Sequence, residues 1–160
     1  GAMDWSSLVF ALRYSLKGFT DRAVNGLVAA RRHAVRRGHQ AVTPEHVLLG
    51  LATLEAGCAN AVLRRLGVDL RCALAEITAL AEATPRAPSP RRPVLSPELE
   101  CVLEQAKRQA QAWGHRHVGT EHLIMSLLLG SPCPAADYLR GLGITADQLR
   151  QEWLAIFRRS

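Results

Sequence analysis

The sequence predicts an all-α fold: two tandem four-helix repeats related by a pseudo-twofold axis, plus an extra N-terminal helix. Three observations carry this expectation. Apolar residues make up 48% of the 160-residue chain and aromatics only 5%, an Ala- and Leu-rich balance that suits packed helices rather than a sheet. One segment then occurs twice. Gly38-His39-Gln40-Ala41-Val42-Thr43-Pro44-Glu45-His46-Val47-Leu48-Leu49 returns as Gly114-His115-Arg116-His117-Val118-Gly119-Thr120-Glu121-His122-Leu123-Ile124-Met125, an offset of 114 − 38 = 76 positions. That offset holds without insertion from Leu27/Leu103 through Ala30/Ala106 and Ala34/Ala110 to Leu63/Leu139, Leu66/Leu142 and Gly67/Gly143. Fixed-period self-similarity of this kind marks a duplicated structural unit.

The elements follow in order. Gly1-Ala2-Met3 reads as a cloning scar, so residues 1–3 stand outside the fold. Residues 4–18 form the extra amphipathic helix, with Trp5, Leu8, Val9, Leu12 and Leu16 on one apolar stripe packed onto the first repeat. Repeat one covers 19–83. Thr20 is an N-cap with Asp21 in the first turn, where the helix dipole favours an acid. Ala23, Leu27, Ala30 and Ala34 give that helix its buried face, and Gly38 ends it. Thr43-Pro44-Glu45 is a second start signal of cap, Pro at the first helical position and acid; the helix it opens carries Val47, Leu48, Leu51 and Ala52 into the core. A third helix over 58–66 stops at Gly67, and a fourth opens at Asp69 and runs through Leu70, Leu74, Ile77 and Leu80.

Residues 84–94 contain four prolines and predict an extended linker. Ser96-Pro97-Glu98 then restarts the pattern, and repeat two (95–160) is expected to hold helices at 96–113, 120–130, 134–142 and 146–158. At this length the two halves share one globular domain.

Several functions are excluded by what the sequence lacks. It has no GxxxxGK[ST] phosphate loop, no GxSxG and no HExxH. No run approaches the roughly 18–20 apolar residues of a membrane span, so no membrane partner is expected. Cys58, Cys72, Cys101 and Cys133 lack both zinc-knuckle and disulfide-framework spacing, which predicts reduced thiols and a cytoplasmic location. His39 and His46, with their mates His115 and His122, supply two imidazoles per repeat where zinc needs three or four ligands, so the rings are expected to bond backbone near the turn and no metal is expected. The net charge of +6 and the arginines at 31, 32, 36, 37, 64 and 65 raise nucleic-acid binding, but the cluster spans more than one helix face and reads as solvated surface.

Glu45 and Glu121 each stand in the first turn of a repeat's second helix, where the macrodipole alone favours an acid by roughly 0.3–1 kcal/mol. Thr20 and Ser96 are the hydroxyl caps of the first helices. A helix N-terminus with a hydroxyl suits an anion, and a carboxylate beside it suits a guanidinium. Spacing alone does not select such a ligand.

Phe19-Thr20-Asp21-Arg22-Ala23, the doubled Gly-His…Glu-His segment and Leu66-Gly67-Val68 matched by Leu142-Gly143-Ile144 resemble the N-terminal domain of the Clp/Hsp100 ATPases, most of all the ClpC branch, over about 19–158. The resemblance implies two four-helix repeats with no catalysis and no cofactor. It implies recruitment of substrate proteins or adaptors to a Clp ATPase that feeds the ClpP peptidase, by a domain that is monomeric when isolated. For the ClpC branch it also implies reading of phosphoarginine-marked proteins at two sites, one using Thr20 and Glu45 and the other Ser96 and Glu121.

The chain departs from the family at several positions. Pro44 removes a backbone donor that Thr120 keeps in the second copy, Ser96 replaces the usual Thr while keeping the hydroxyl, and the linker is rich in Pro and Arg. The extra helix and this drift lean towards a free-standing relative over a fragment of a large ATPase. Such a relative implies an alternative role: a regulator docking on a Clp ATPase or peptidase through the stripe of 4–17, or a decoy sequestering cyclic-peptide antibiotics aimed at the domain.

Overall fold

Among the described residues, eight α-helices and two very short strands order as α1 (Asp21–Arg36), β1 (Ala41–Val42), α2 (Pro44–Thr53), α3 (Cys58–Arg65), α4 (Leu74–Glu82), β2 (Val94–Leu95), α5 (Pro97–Ala112), α6 (Thr120–Leu129), α7 (Pro134–Gly141) and α8 (Ala146–Arg159). The computed structural model describes residues 16–54, 58–88 and 92–159. The scar and nearly all of the expected N-terminal helix lie outside the described residues; within them Leu16 is buried and leads into a turn at Gly18.

The start and stop signals act as the sequence predicts. The Thr20 hydroxyl accepts the Ala23 N–H at 3.1 Å, and that of Ser96 accepts the Leu99 N–H at 3.1 Å. Gly38 and Gly67 take φ of 66° and 80°, and their mates Gly114 and Gly143 take 71° and 83°, the left-handed geometry that ends a helix. One boundary differs. The fourth helix begins at Leu74, not Asp69: residues 70–73 form successive i→i+3 turns, and the Asp69 carboxylate takes the Arg71 N–H at 3.0 Å. A local side-chain bond there competes with the i→i+4 ladder. Its mate Thr145 does cap a full helix, accepting the Gln148 N–H at 3.2 Å.

The halves are joined by exchange. β1 pairs in parallel with β2, Ala41 with Val94 and Val42 with Leu95. The same pairing recurs 76 positions on, where Phe19 bridges Val118 in parallel. Each repeat's lead-in to its second helix is therefore hydrogen-bonded to the segment that opens the other repeat. Arg86 also bridges His39, so part of the Pro-rich linker is tied to repeat one.

The third helices also reach across: α3 packs on α6 and α8, while α7 packs on α2 and α4 as well as on α6 of its own repeat. Leu48, Leu51, Leu63, Leu123, Leu127 and Leu139 meet in one continuous core that neither repeat closes alone. Helices α1 and α2 cross closely because Gly26 and Gly50 carry no side chain between them. Among the described residues no single helix is long and apolar enough to cross a membrane.

Candidate functional site

The strand exchange decides which functional side chains become neighbours. The Thr20 N–H donates to the Val118 carbonyl at 2.8 Å, so the start of α1 lies against the loop that opens α6 and carries Glu121. Reciprocally, the Ser96 N–H donates to the Val42 carbonyl at 2.9 Å, bringing the start of α5 to the loop before Glu45. The structure thus groups Thr20 with Glu121 and Ser96 with Glu45, opposite to the grouping within repeats that the resemblance implies. Pairing through β-bridges across the pseudo-twofold is the cause, and it joins residues 121 − 20 = 101 positions apart at one end and 96 − 45 = 51 at the other.

The two ends then differ chemically. Glu45 is buried, 8% exposed, and its Oε2 accepts the Ala135 N–H at the start of α7 at 3.0 Å. Burial pushes its carboxyl above the usual carboxylate range; the Ala135 N–H, its own N–H and the Thr43 hydroxyl oppose that rise, while Glu98 nearby adds to it. Glu121 is also raised by burial, but only its own N–H and the Cys58 thiol hold it down.

The cause lies one residue earlier. Thr120, which replaces Pro44 in the duplicated frame, accepts the Ala59 N–H on its hydroxyl oxygen at 3.1 Å, and Ala59 is the mate of Ala135. The same helix start is thus capped by a hydroxyl in one half and by a carboxylate in the other, because proline has no hydroxyl. Glu121 is left with its carboxylate turned to the Cys58 thiol, beside Arg22: Glu121 raises that thiol and Arg22 lowers it.

The histidines form a backbone-anchored relay in each half. Gly119 N–H donates to His122 Nδ1 at 2.8 Å, and Thr43 N–H to His46 Nδ1 at 3.0 Å. An N–H can only donate, so each of these rings is protonated at Nε2, which donates to His115 Nδ1 at 2.9 Å or His39 Nδ1 at 2.8 Å. Burial first, then the partner imidazole, pushes His46 and His122 down to about 4. The approach of Glu121 Oε1 to His122 Nδ1 at 3.3 Å is therefore no ion pair, since that nitrogen bears no proton. The expected turn-binding role of these imidazoles is what the geometry shows. Among the described residues no group of three or more His, Cys, Asp or Glu side chains is placed to hold a metal.

Glu121 lines a small pocket between the repeats with Ala59, Val62, Trp113, Met125 and Trp153. The two indole rings stack at 4.9 Å between centroids, His115 meets Trp153 edge-on at 4.4 Å, and the Arg150 guanidinium lies 5.7 Å over Trp113. Trp113, Trp153, Cys58 and Arg22 were not legible as site residues. The available signal was broken symmetry: the mates of Trp113 and Trp153 are Arg37 and Ile77, and that of Arg22 is Glu98. On the other side, a wider cleft is lined by Gln40, Thr43, Pro85, Ser96, Pro97 and Glu98, with Glu45 absent from its wall.

Comparison with known proteins agrees with this architecture. Residues 18–142 match the family described as Clp repeat (R) N-terminal domain. The chain is 35% identical over 136 residues to a probable ATP-dependent Clp protease ATP-binding subunit of Chlamydia pneumoniae, covering 85% of this chain and 16% of that protein. It is 30% identical over 143 residues to the chloroplastic chaperone protein ClpC1 of Arabidopsis thaliana, covering 89% of this chain and 15% of that protein. The chain thus spans about one sixth of the length of these curated relatives. In fold it is similar to the N-domain of ClpV from Vibrio cholerae, with a TM-score of 0.75, 18% identity and coverage of 93% and 90% of the two chains. A complex of a ClpV N-domain with a VipB peptide gives a TM-score of 0.71, 18% identity and coverage of 100% and 95%.

Proposed function

This chain belongs to the Clp repeat N-terminal domain family, and from that premise we infer that it is a non-catalytic protein-binding module, recruiting substrate proteins or adaptors for Clp-type unfolding and proteolysis. The ligand in this reading is a phosphoarginine-marked segment. The observation that carries it is Glu121: a sheltered carboxylate on the wall of an otherwise apolar pocket, beside the N-terminus of α1. The carboxylate suits a guanidinium, and the exposed backbone N–H groups of α1 with the Arg22 guanidinium suit a phosphoryl group. A ClpV N-domain of this fold forms a complex with a VipB peptide, which supports peptide recognition here. Partners in this reading are proteins and the Clp ATPase and peptidase machinery, met in the cytoplasm by a monomer. The unbridged Cys58, Cys72, Cys101 and Cys133 support that compartment.

The test is calorimetric titration of free phosphoarginine into the chain, with arginine and phosphoserine as controls. Saturable heat with phosphoarginine alone is the expected result. Equal affinity for all three compounds, or none for any, removes the tag-reading role.

A further inference from the structure

We propose that only one of the two pseudo-equivalent ends reads a ligand: the end built from Thr20, Arg22 and Glu121 takes a phosphorylated guanidinium side chain, and the end built from Ser96 and Glu45 is structural. The proposal rests on the phosphoarginine reading above and narrows it from two sites to one.

Three independent features separate the ends. The first is carboxylate availability. Glu45 is spent on the start of α7, where its Oε2 holds the Ala135 N–H at 3.0 Å, and a guanidinium drawn to it would leave that buried donor without its partner. At the other end Thr120 holds the corresponding Ala59 N–H at 3.1 Å, which leaves the Glu121 carboxylate to a thiol, a weak donor that a guanidinium displaces at little cost.

The second feature is backbone donors. Pro97 and Pro44 remove an N–H from each of the two helix starts that meet at the Ser96 end. Their mates Asp21 and Thr120 keep both. A phosphoryl group is therefore offered two more backbone donors at the Thr20 end.

Charge is the third. Glu98 faces Glu45, so an incoming phosphoryl group would meet two carboxylates there. Its mate Arg22 acts on the Cys58 thiol that Glu121 meets, and puts a cation in the sequence position where the other end has an acid. The wider cleft beside Ser96 does not reverse this order, since Glu98 lines it and Glu45 does not. A groove whose charge is a lone exposed carboxylate repels the anion and gives the guanidinium no sheltered acceptor.

The experiment is a titration of phosphoarginine read for stoichiometry, with the wild-type chain, Glu121→Gln and Glu45→Gln. One site per chain is expected, weakened about tenfold or more by Glu121→Gln and changed less than about twofold by Glu45→Gln. Two sites per chain, or loss with Glu45→Gln but not with Glu121→Gln, overturns the single-site assignment while leaving the tag-reading role standing. Absence of any binding to the wild-type chain instead removes the tag-reading role, and this assignment with it. Because Glu45→Gln also loosens α7, a second measurement uses the wild type alone: amide NMR shifts during the titration. Shifts confined to Thr20–Ala23, Ala59 and Val118–Leu123 support the assignment, and equal shifts at Val42–His46, Ser96–Leu99 and Ala135 refute it.

Discussion

Glu45 and Ala135 are joined across the pseudo-twofold by a 3.0 Å hydrogen bond from the Ala135 N–H to the Glu45 carboxylate, and Thr120 and Ala59 make the mirror contact at 3.1 Å. One function, capping the third helix of the opposite repeat, has passed between adjacent positions of the duplicated frame. A hydroxyl does it where the frame has Thr, and a carboxylate where it has Pro. That exchange decides which glutamate is free.

The cap contacts predict a double-mutant coupling. Glu45→Ala strands a buried N–H and is expected to cost about 1–3 kcal/mol, and Thr120→Val about 1 kcal/mol. Pro44→Thr restores the hydroxyl that the other half uses, so Glu45→Ala costs about 1 kcal/mol less in that background. Urea unfolding of the four variants measures it; a coupling near zero shows that the carboxylate is not the cap.

Stability is expected to fall on acidification between pH 6.5 and 4. His46 and His122 sit at about 4 in the native state against an ordinary 6.5, so the unfolded chain binds protons that the native state refuses throughout that window. Glu45 and Glu121 act in the opposite sense. Their raised values contribute stability that is present below the ordinary carboxylate pKa and lost as pH rises through their native values. The histidine contribution by itself lowers Tm by on the order of 10 °C by pH 4.5. Replacing both histidines by Gln flattens the profile; an unchanged slope assigns the acid sensitivity elsewhere.

Thiol labelling reports the Glu121 carboxylate directly. The Cys58 thiol is held up by burial and by the neighbouring Glu121 charge, so Glu121→Gln speeds its alkylation at pH 8 by about three- to tenfold. Buried Cys133 stays unmodified in the native chain, and Cys72 and Cys101, both exposed, serve as internal references. Peptide mapping after timed iodoacetamide exposure measures the ratio. A Cys58 rate that does not change places the carboxylate away from the thiol.

Two glycine substitutions should move stability in opposite directions. A methyl group at position 50 would lie 2.4 Å from the Gly26 carbonyl oxygen and 2.9 Å from the Ala30 nitrogen, both backbone atoms, so Gly50→Ala is expected to cost about 2–4 kcal/mol. Gly141 ends α7 with nothing within 4 Å of such a methyl, and Gly141→Ala is expected to gain about 0.5–1 kcal/mol. Thermal melts of the two variants against wild type test whether α1 and α2 cross as closely as described.

Much of the architecture was legible because it is written in local hydrogen bonds. Thr20, Thr43 and Ser96 cap their helices through N–H groups three residues on, and Gly38, Gly67, Gly114 and Gly143 end helices through a backbone geometry that other residues reach with strain. The start of the fourth helix was misplaced at Asp69 because a good cap residue does not say whether its bond opens a helix or a turn. The 76-residue frame likewise placed Glu45 and Glu121 at equivalent positions without showing that they do different work.

By itself, then, the sequence determined the helical class, the duplication and most helix ends, since each depends on contacts within a few residues or on simple periodicity; the four candidate side chains, Thr20, Glu45, Ser96 and Glu121, came from the family resemblance. Only the tertiary structure decided that Thr20 meets the Glu121 loop, that Ser96 meets the Glu45 loop, and that Glu45 is consumed as a cap while Glu121 faces a pocket of Trp113 and Trp153. Those relations join residues from opposite repeats. They come from parallel bridges and from third helices that reach across to partners tens of positions away, where no local propensity reaches.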